Sequence, residues 1–216
     1  MGIKKSFQQW KEYSKMSDLG EIARRKFFNN CFDGALTCAG IVSGIFIIFL
    51  SDASIFVPES VVITGFATAL AIGVSGLWGA FLSEEAERKK KVMDMRKEMA
   101  DIDDEETIKI KKAMDKKKNR KRPILEKAEN FATIVASLVD GGAPVLGSSL
   151  PLIPFFFGSS LTITHFIFSY IILTGLLIYL GIFLGKISGG GHFRYALHLV
   201  TAGVVTLFIS ILLGFL

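Results

Sequence analysis

Asp33 and Asp140 are the residues of this 216-residue chain best placed to do chemistry. Each opens an apolar stretch with glycine behind it, in Cys31-Phe32-Asp33-Gly34-Ala35 and in Leu138-Val139-Asp140-Gly141-Gly142, and each follows a strongly basic segment. A carboxylate inside a hydrophobic span is costly at mid-membrane and less so near the interface, so its presence marks a functional site by default. Two at matching places point to a duplicated half with a polar site between the copies, a common plan of small transporters.

The elements that must position these carboxylates are legible in the composition. Half of the residues are apolar while 21% are charged, so charge and apolar runs must be segregated. Residues 27–50, 60–82, 131–157, 161–184 and 194–216 each supply about 20 or more largely apolar positions, the length that ~30 Å of hydrocarbon requires of a helix. The chain therefore reads as an all-α integral membrane protein with five transmembrane helices. Residues 1–26 hold seven Lys or Arg and no apolar block long enough for a cleaved signal, which makes the first span itself the expected targeting signal.

Lys and Arg also predict orientation. Residues 1–26 hold seven, residues 83–127 hold sixteen, and Lys186 and Arg194 flank the turn between spans four and five. The positive-inside rule then puts the N-terminus, the insert after span two and the 185–193 turn in the cytoplasm, with the C-terminus outside. Spans one and three run the same way, and both aspartates lie about two turns inside the cytoplasmic end.

The organisation that follows is an amphipathic cytoplasmic segment over 1–26, two spans over 27–82, a charged helical cytoplasmic domain over 83–130, and three spans over 131–216. From Ala80 to Arg122 there is neither Gly nor Pro, so span two is predicted to continue out of the bilayer as a helix. The acidic run from Asp101 to Glu106 reads as a break with a new N-cap. Val92, Met95, Met99 and Ile102 form an apolar stripe, explained by helix packing within a subunit or across a dimer. Glu87, Asp94, Glu98, Asp101 and Glu105 form an acidic stripe beside it. That stripe is either a solvated face balanced by its basic neighbours or a surface that collects divalent metal, with thioethers nearby favouring a softer ion. The run Lys116-Lys117-Lys118-Asn119-Arg120-Lys121-Arg122 is a juxtamembrane anchor for anionic lipid headgroups; no nucleic-acid partner is expected, because no aromatics are interleaved.

Within the spans, polar and small residues align. Asn30, Asp33, Thr37, Gly40 and Gly44 share one face of span one, and Thr133, Ser137, Asp140, Pro144, Gly147 and Pro151 share one face of span three. Pro144, Pro151 and Pro154 remove hydrogen-bond donors from span three, freeing carbonyls that could face a polar cavity. Span two carries Thr64, Thr68, Ser75 and Gly79 beside Ala69, Gly73, Gly76 and Ala80, a small-residue stripe suited to close packing. Cys31 and Cys38 share a face as two small hydrophobes, or as soft ligands beside Asp33. His198 sits one turn into span five, solvated or in a proton relay, while His165 and His192 belong to no constellation. Gly189-Gly190-Gly191 is a flexible turn.

These features resemble the vacuolar iron transporter family of iron and manganese exporters, over nearly the whole chain. The likeness rests on the amphipathic N-terminal segment, the Asp33-Gly34 opening, the span-two exit Ser75-Gly76-Leu77-Trp78-Gly79-Ala80-Phe81-Leu82-Ser83 leading into Glu84-Glu85-Ala86-Glu87, the charged insert, and Gly147-Ser148-Ser149-Leu150-Pro151-Leu152-Ile153-Pro154. It implies a five-helix homodimer with its ion path between subunits, a cytoplasmic domain rich in acidic residues and methionine that gathers metal, and proton antiport. Family members typically carry Met and Glu where this chain has Gly76 and Ala80.

The expected activity is export of Fe²⁺ or Mn²⁺ from the cytoplasm, with the ion as substrate and no permanently bound cofactor. Asp33 and Asp140 are the coordinating and proton-exchanging carboxylates, and Asn30, Thr37 and Ser137 supply neutral oxygens suited to harder ions. Glu84, Glu87, Asp94, Glu98, Asp101 and Glu105, with Met95 and Met99, concentrate metal at the entrance. The alternative is a non-transporting scaffold or metal sensor acting through the cytoplasmic helices. Asp33-Gly34-Ala35 superficially matches the opening of the CDP-alcohol phosphotransferase motif, but residues 36–50 contain no acid or base, so an enzyme of that kind is excluded.

Overall fold

A computed structural model describes residues 19–52, 55–100 and 130–214, with the side chains of 88, 91, 92 and 95–100 set aside. Helix makes up 92% of these residues and no strand occurs among them, which leaves only short connections. We label α1 Leu19–Ser51, α2 Pro58–Ala100, α3 residues 130–149, α4 Ile163–Ser188 and α5 His192–Gly214. The end of α3 tightens into a 3₁₀ turn, Leu150–Phe156. Pro151 and Pro154 lie in that turn, where the missing N–H groups disfavour a continued α-helix.

Five helices are long and apolar enough to cross a membrane, with mean hydropathies from 1.4 to 2.3 in their most apolar windows. Their bounds exceed the apolar runs at several ends. α1 is already helical at Leu19, so Arg24, Arg25 and Lys26 ride on its first turns rather than on a preceding segment. α2 runs without a break to Ala100, well beyond its apolar part. The residues 1–18 and 101–129, including the acidic break at Asp101 and the basic run after it, lie outside the described residues.

Two compact units divide the chain, Met1–Arg24 with Leu77–Val139, and Arg25–Gly76 with Asp140–Leu216. In the first, Glu85 accepts an ion pair from Lys89 at 2.8 Å, one turn apart on a solvated face of α2. The second holds the packed parts of all five helices. In it α1 and α3 run in the same sense: Asn30 meets Asp140, Gly34 meets Pro144, and Val42 shares a core cluster with Leu152. α2 runs against α3, since Gly65 approaches Leu152 while Gly73 approaches Val145 and Gly141. α4 and α5 form an antiparallel hairpin in which Gly181 meets Ala196 and Gly185 meets His192. α5 follows α1, with Gly40 near Thr206 and Gly214 near Ile47. The helices thus alternate in direction, as consecutive membrane spans must.

Close approach is what these glycines provide. A methyl group at Gly34 would fall on the backbone of Pro144, and one at Gly147 would fall on the Cys31 carbonyl, so α1 and α3 touch backbone to backbone. Away from this contact the core is aromatic. Phe46 and Phe49 of α1 pack on Phe166 of α4 at ring separations of 5.0 and 5.2 Å, and Phe155 joins them at 5.5 Å. Three polar links fix the layers: the Ser43 and Tyr170 hydroxyls at 3.0 Å, Ser169 Oγ donating to the Pro151 carbonyl at 2.7 Å, and the His165 ring. Thr162 N–H donates to His165 Nδ1, so Nε2 carries the proton and donates to the Phe157 carbonyl at 2.6 Å. His165 is therefore a clasp for the α3–α4 connection, a constellation the sequence did not reveal.

Candidate functional site: an asymmetric carboxylate pair

The close contact of α1, α2 and α3 ends in an open cavity of about 420 Å³. Its walls are Asn30 and Asp33 from α1, Ala71, Ile72, Ser75 and Gly76 from α2, and Asp140 and Pro144 from α3. Both aspartates singled out by sequence thus face one space. Their surroundings differ sharply, contrary to the expectation of equivalent copies.

Asp140 is buried and both of its oxygens are engaged. Lys26 Nζ donates to Oδ2 at 2.5 Å, and Asn30 Nδ2 donates to Oδ1 at 2.7 Å and to the Lys26 carbonyl at 2.9 Å. The Lys26 side chain is 28% exposed and that of Asp140 11%, so the ion pair is largely desolvated on one side and open on the other. Asp33 is exposed on the cavity wall, and among the described residues its carboxylate has neither an ion pair nor a hydrogen-bond donor. The three charges sum to one net negative charge in a mostly apolar setting.

A further acceptor belongs to the backbone. Pro144 has no N–H to give the Asp140 carbonyl one turn earlier, so that oxygen lacks its usual helical donor. Gly76 lies against the same carbonyl: a Cβ there would come within 2.5 Å of it. The carbonyl freed by Pro144 is thus packed against Gly76, whereas the Pro151 carbonyl serves Ser169.

Thr37 is not part of the cavity wall; its hydroxyl donates to the Asp33 carbonyl at 2.8 Å, a helix back-bond that competes with any ligand role. Ser137 is buried on α3, three residues before Asp140, and its hydroxyl has no partner among the described residues. The face expected to unite Asn30 through Gly44 is divided, because Gly40 is nearest to α5 and Gly44 meets open space. On the α2 extension Glu84 is half-buried and Glu87 and Asp94 are exposed. Val92, Met95, Glu98 and Met99 lie on α2 among the side chains left undescribed, and Asp101, Ile102 and Glu105 lie outside the described residues. Among the described residues no three His, Cys, Asp or Glu side chains converge, at the cavity or on the extension. The groups on the cavity wall that could hold an ion are the carboxylates of Asp33 and Asp140 and the neutral side chains of Asn30 and Ser75. Cys31 and Cys38 are buried and unpaired, as small hydrophobes of the core, and His198 is exposed.

Lys26 is the residue that sequence reasoning missed, being counted only within the basic N-terminal segment. Its signal was its spacing: four before Asn30 and seven before Asp33, it shares their helical face at the threshold of the apolar run.

No family model matches the chain. It is 29% identical over 170 residues to an uncharacterised protein of the archaeon Methanocaldococcus jannaschii, an alignment that covers 78% of this chain and 76% of that protein. The similarity spans most of both chains rather than one segment.

Proposed function

We propose that this protein is a multi-pass membrane transporter that exports a divalent transition metal, Mn²⁺ or Fe²⁺, from the cytoplasm in exchange for protons, as a divergent relative of the vacuolar iron transporters. The reading rests on one observation above all: carboxylates from two span-forming helices, one free and one ion-paired, line a single cavity. Ionisable groups are kept in such places when they carry ions or protons. A cation approaching the cavity meets Asp33 first, because that carboxylate is unengaged. Asn30 and Ser75 on the same walls carry uncharged oxygens, a donor set suited to harder divalent ions.

The departure at Gly76 supports the same preference. Where the family typically has Met, a side chain would drive α2 off the Asp140 backbone, so close helix packing stands in place of a thioether. Transport would favour Mn²⁺ over softer ions. A carboxylate holds either a cation or a proton, so an opposing proton gradient would release the ion. A homodimer, and a metal-gathering role for Glu84, Glu87 and Asp94, belong to this reading through the family resemblance.

Purified protein in proteoliposomes should take up Mn²⁺ and Fe²⁺ down their gradients and alkalinise the lumen in step, as protons leave in exchange. Vesicles as impermeant as protein-free controls to every divalent ion tested would end the transporter reading and favour the scaffold or sensor.

Orientation has its own test. The basic segments put the N-terminal end of α1 in the cytoplasm and the end of α5 outside. Reporter fusions should therefore score on opposite sides, and two fusions on the same side would refute the assignment.

A further inference from the structure

We infer that Lys26 is a tethered cation that occupies Asp140 in the empty state and is displaced by the incoming divalent ion. The inference rests on the transport reading and extends it to how the site is filled and reset. With Lys26 in place, Asp33 and Asp140 carry one net negative charge, which cannot neutralise a divalent ion. With Lys26 withdrawn they carry two, which can. Lys26 and Asn30 already engage both oxygens of Asp140 at 2.5 and 2.7 Å, so a divalent ion arriving there is opposed by the ammonium's like charge.

The geometry gives the ammonium somewhere to go. Lys26 stands on the first turns of α1 with its side chain 28% exposed, and a flexible four-carbon stem lets such a group snorkel toward water or headgroups. Asn30 bridges the two states, since it donates both to Asp140 and to the Lys26 carbonyl and stays on the carboxylate when the ammonium leaves. After the ion departs, Lys26 returns, so the empty carrier need not present two bare carboxylates to the membrane. Ion and lysine therefore alternate at one carboxylate.

The intact protein supports a direct test. Amine-selective labelling in detergent, read by mass spectrometry, should modify Lys26 at least about threefold faster with Mn²⁺ than with NaCl of equal ionic strength, because a paired ammonium is protected and a displaced one is not. Exposed Lys186 serves as the internal control and should not change. Lys26→Met should bind Mn²⁺ roughly tenfold more tightly than the parent, having lost its competitor, and Lys26→Arg should bind more weakly than Lys26→Met. Labelling of Lys26 that Mn²⁺ leaves unchanged, slows, or raises no more than NaCl does would overturn the inference, even where Lys26→Met folds poorly. If the parent moves Mn²⁺ under those results, transport stands and only the displacement fails. If the parent neither binds nor moves Mn²⁺, both fall.

Discussion

Asp140→Asn is expected to abolish metal flux and destabilise the protein, whereas Asp33→Asn should abolish flux alone. The two aspartates look alike in sequence, but only Asp140 holds a partner. Removing its charge leaves the Lys26 ammonium partly buried and unpaired. Breaking a fully buried pair costs ~3 to 5 kcal/mol, but Lys26 retains a route to water, so about 1 to 2 kcal/mol is the expected loss. Asp33 makes no interaction that Asn would lose, and its replacement should leave stability within roughly 0.5 kcal/mol.

Flux should fall at least about tenfold in both variants, because each removes one of two charges facing the ion. The double variant Lys26→Met/Asp140→Asn should regain the lost stability without regaining flux, which separates the structural from the transporting role of Asp140. Thermal unfolding in detergent and Mn²⁺ uptake by the same preparations supply both readings. An Asp33→Asn variant that transports like the parent would remove Asp33 from the path.

The second large effect is steric. Gly34→Ala and Gly147→Ala should each cost about 3 kcal/mol or more, and both together should prevent folding, because each added methyl meets backbone on the facing helix rather than a side chain that can turn aside. Gly44→Ala and Gly142→Ala are the controls. Nothing lies within 4 Å of a methyl at either, so the better helix propensity of Ala should leave stability unchanged or raise it by up to ~1 kcal/mol. Gly34 adjoins Asp33, and its contact holds α1 at the distance from which Lys26 and Asn30 reach Asp140. A Gly34→Ala protein that does fold should therefore also show faster amine labelling of Lys26. Stability of Gly34→Ala equal to that of Gly44→Ala would show that α1 and α3 do not depend on this contact.

The sequence by itself determined the features whose cost is local. A 20-residue apolar run can do little but span, a run without Gly or Pro continues as helix, and a carboxylate at the edge of hydrocarbon is costly whatever stands opposite. The five helices long and apolar enough to span and the extended α2 were legible for that reason, and Asp33 and Asp140 stood out as candidates on the same ground. So was the packing role of Ala69, Gly73 and Gly76, since small residues repeating along one face leave room for a neighbouring backbone. Only the tertiary structure decided which aspartate is free and which is held. The Lys26–Asp140 pair joins residues 114 apart, and its existence depends on the register of α1 against α3. That register is set where Gly34 meets Pro144 and Gly147 meets Cys31, contacts in which backbone shape rather than side-chain type selects the fit. Composition and periodicity describe one helix at a time, whereas the charge balance of this cavity is a property of three helices brought to one place.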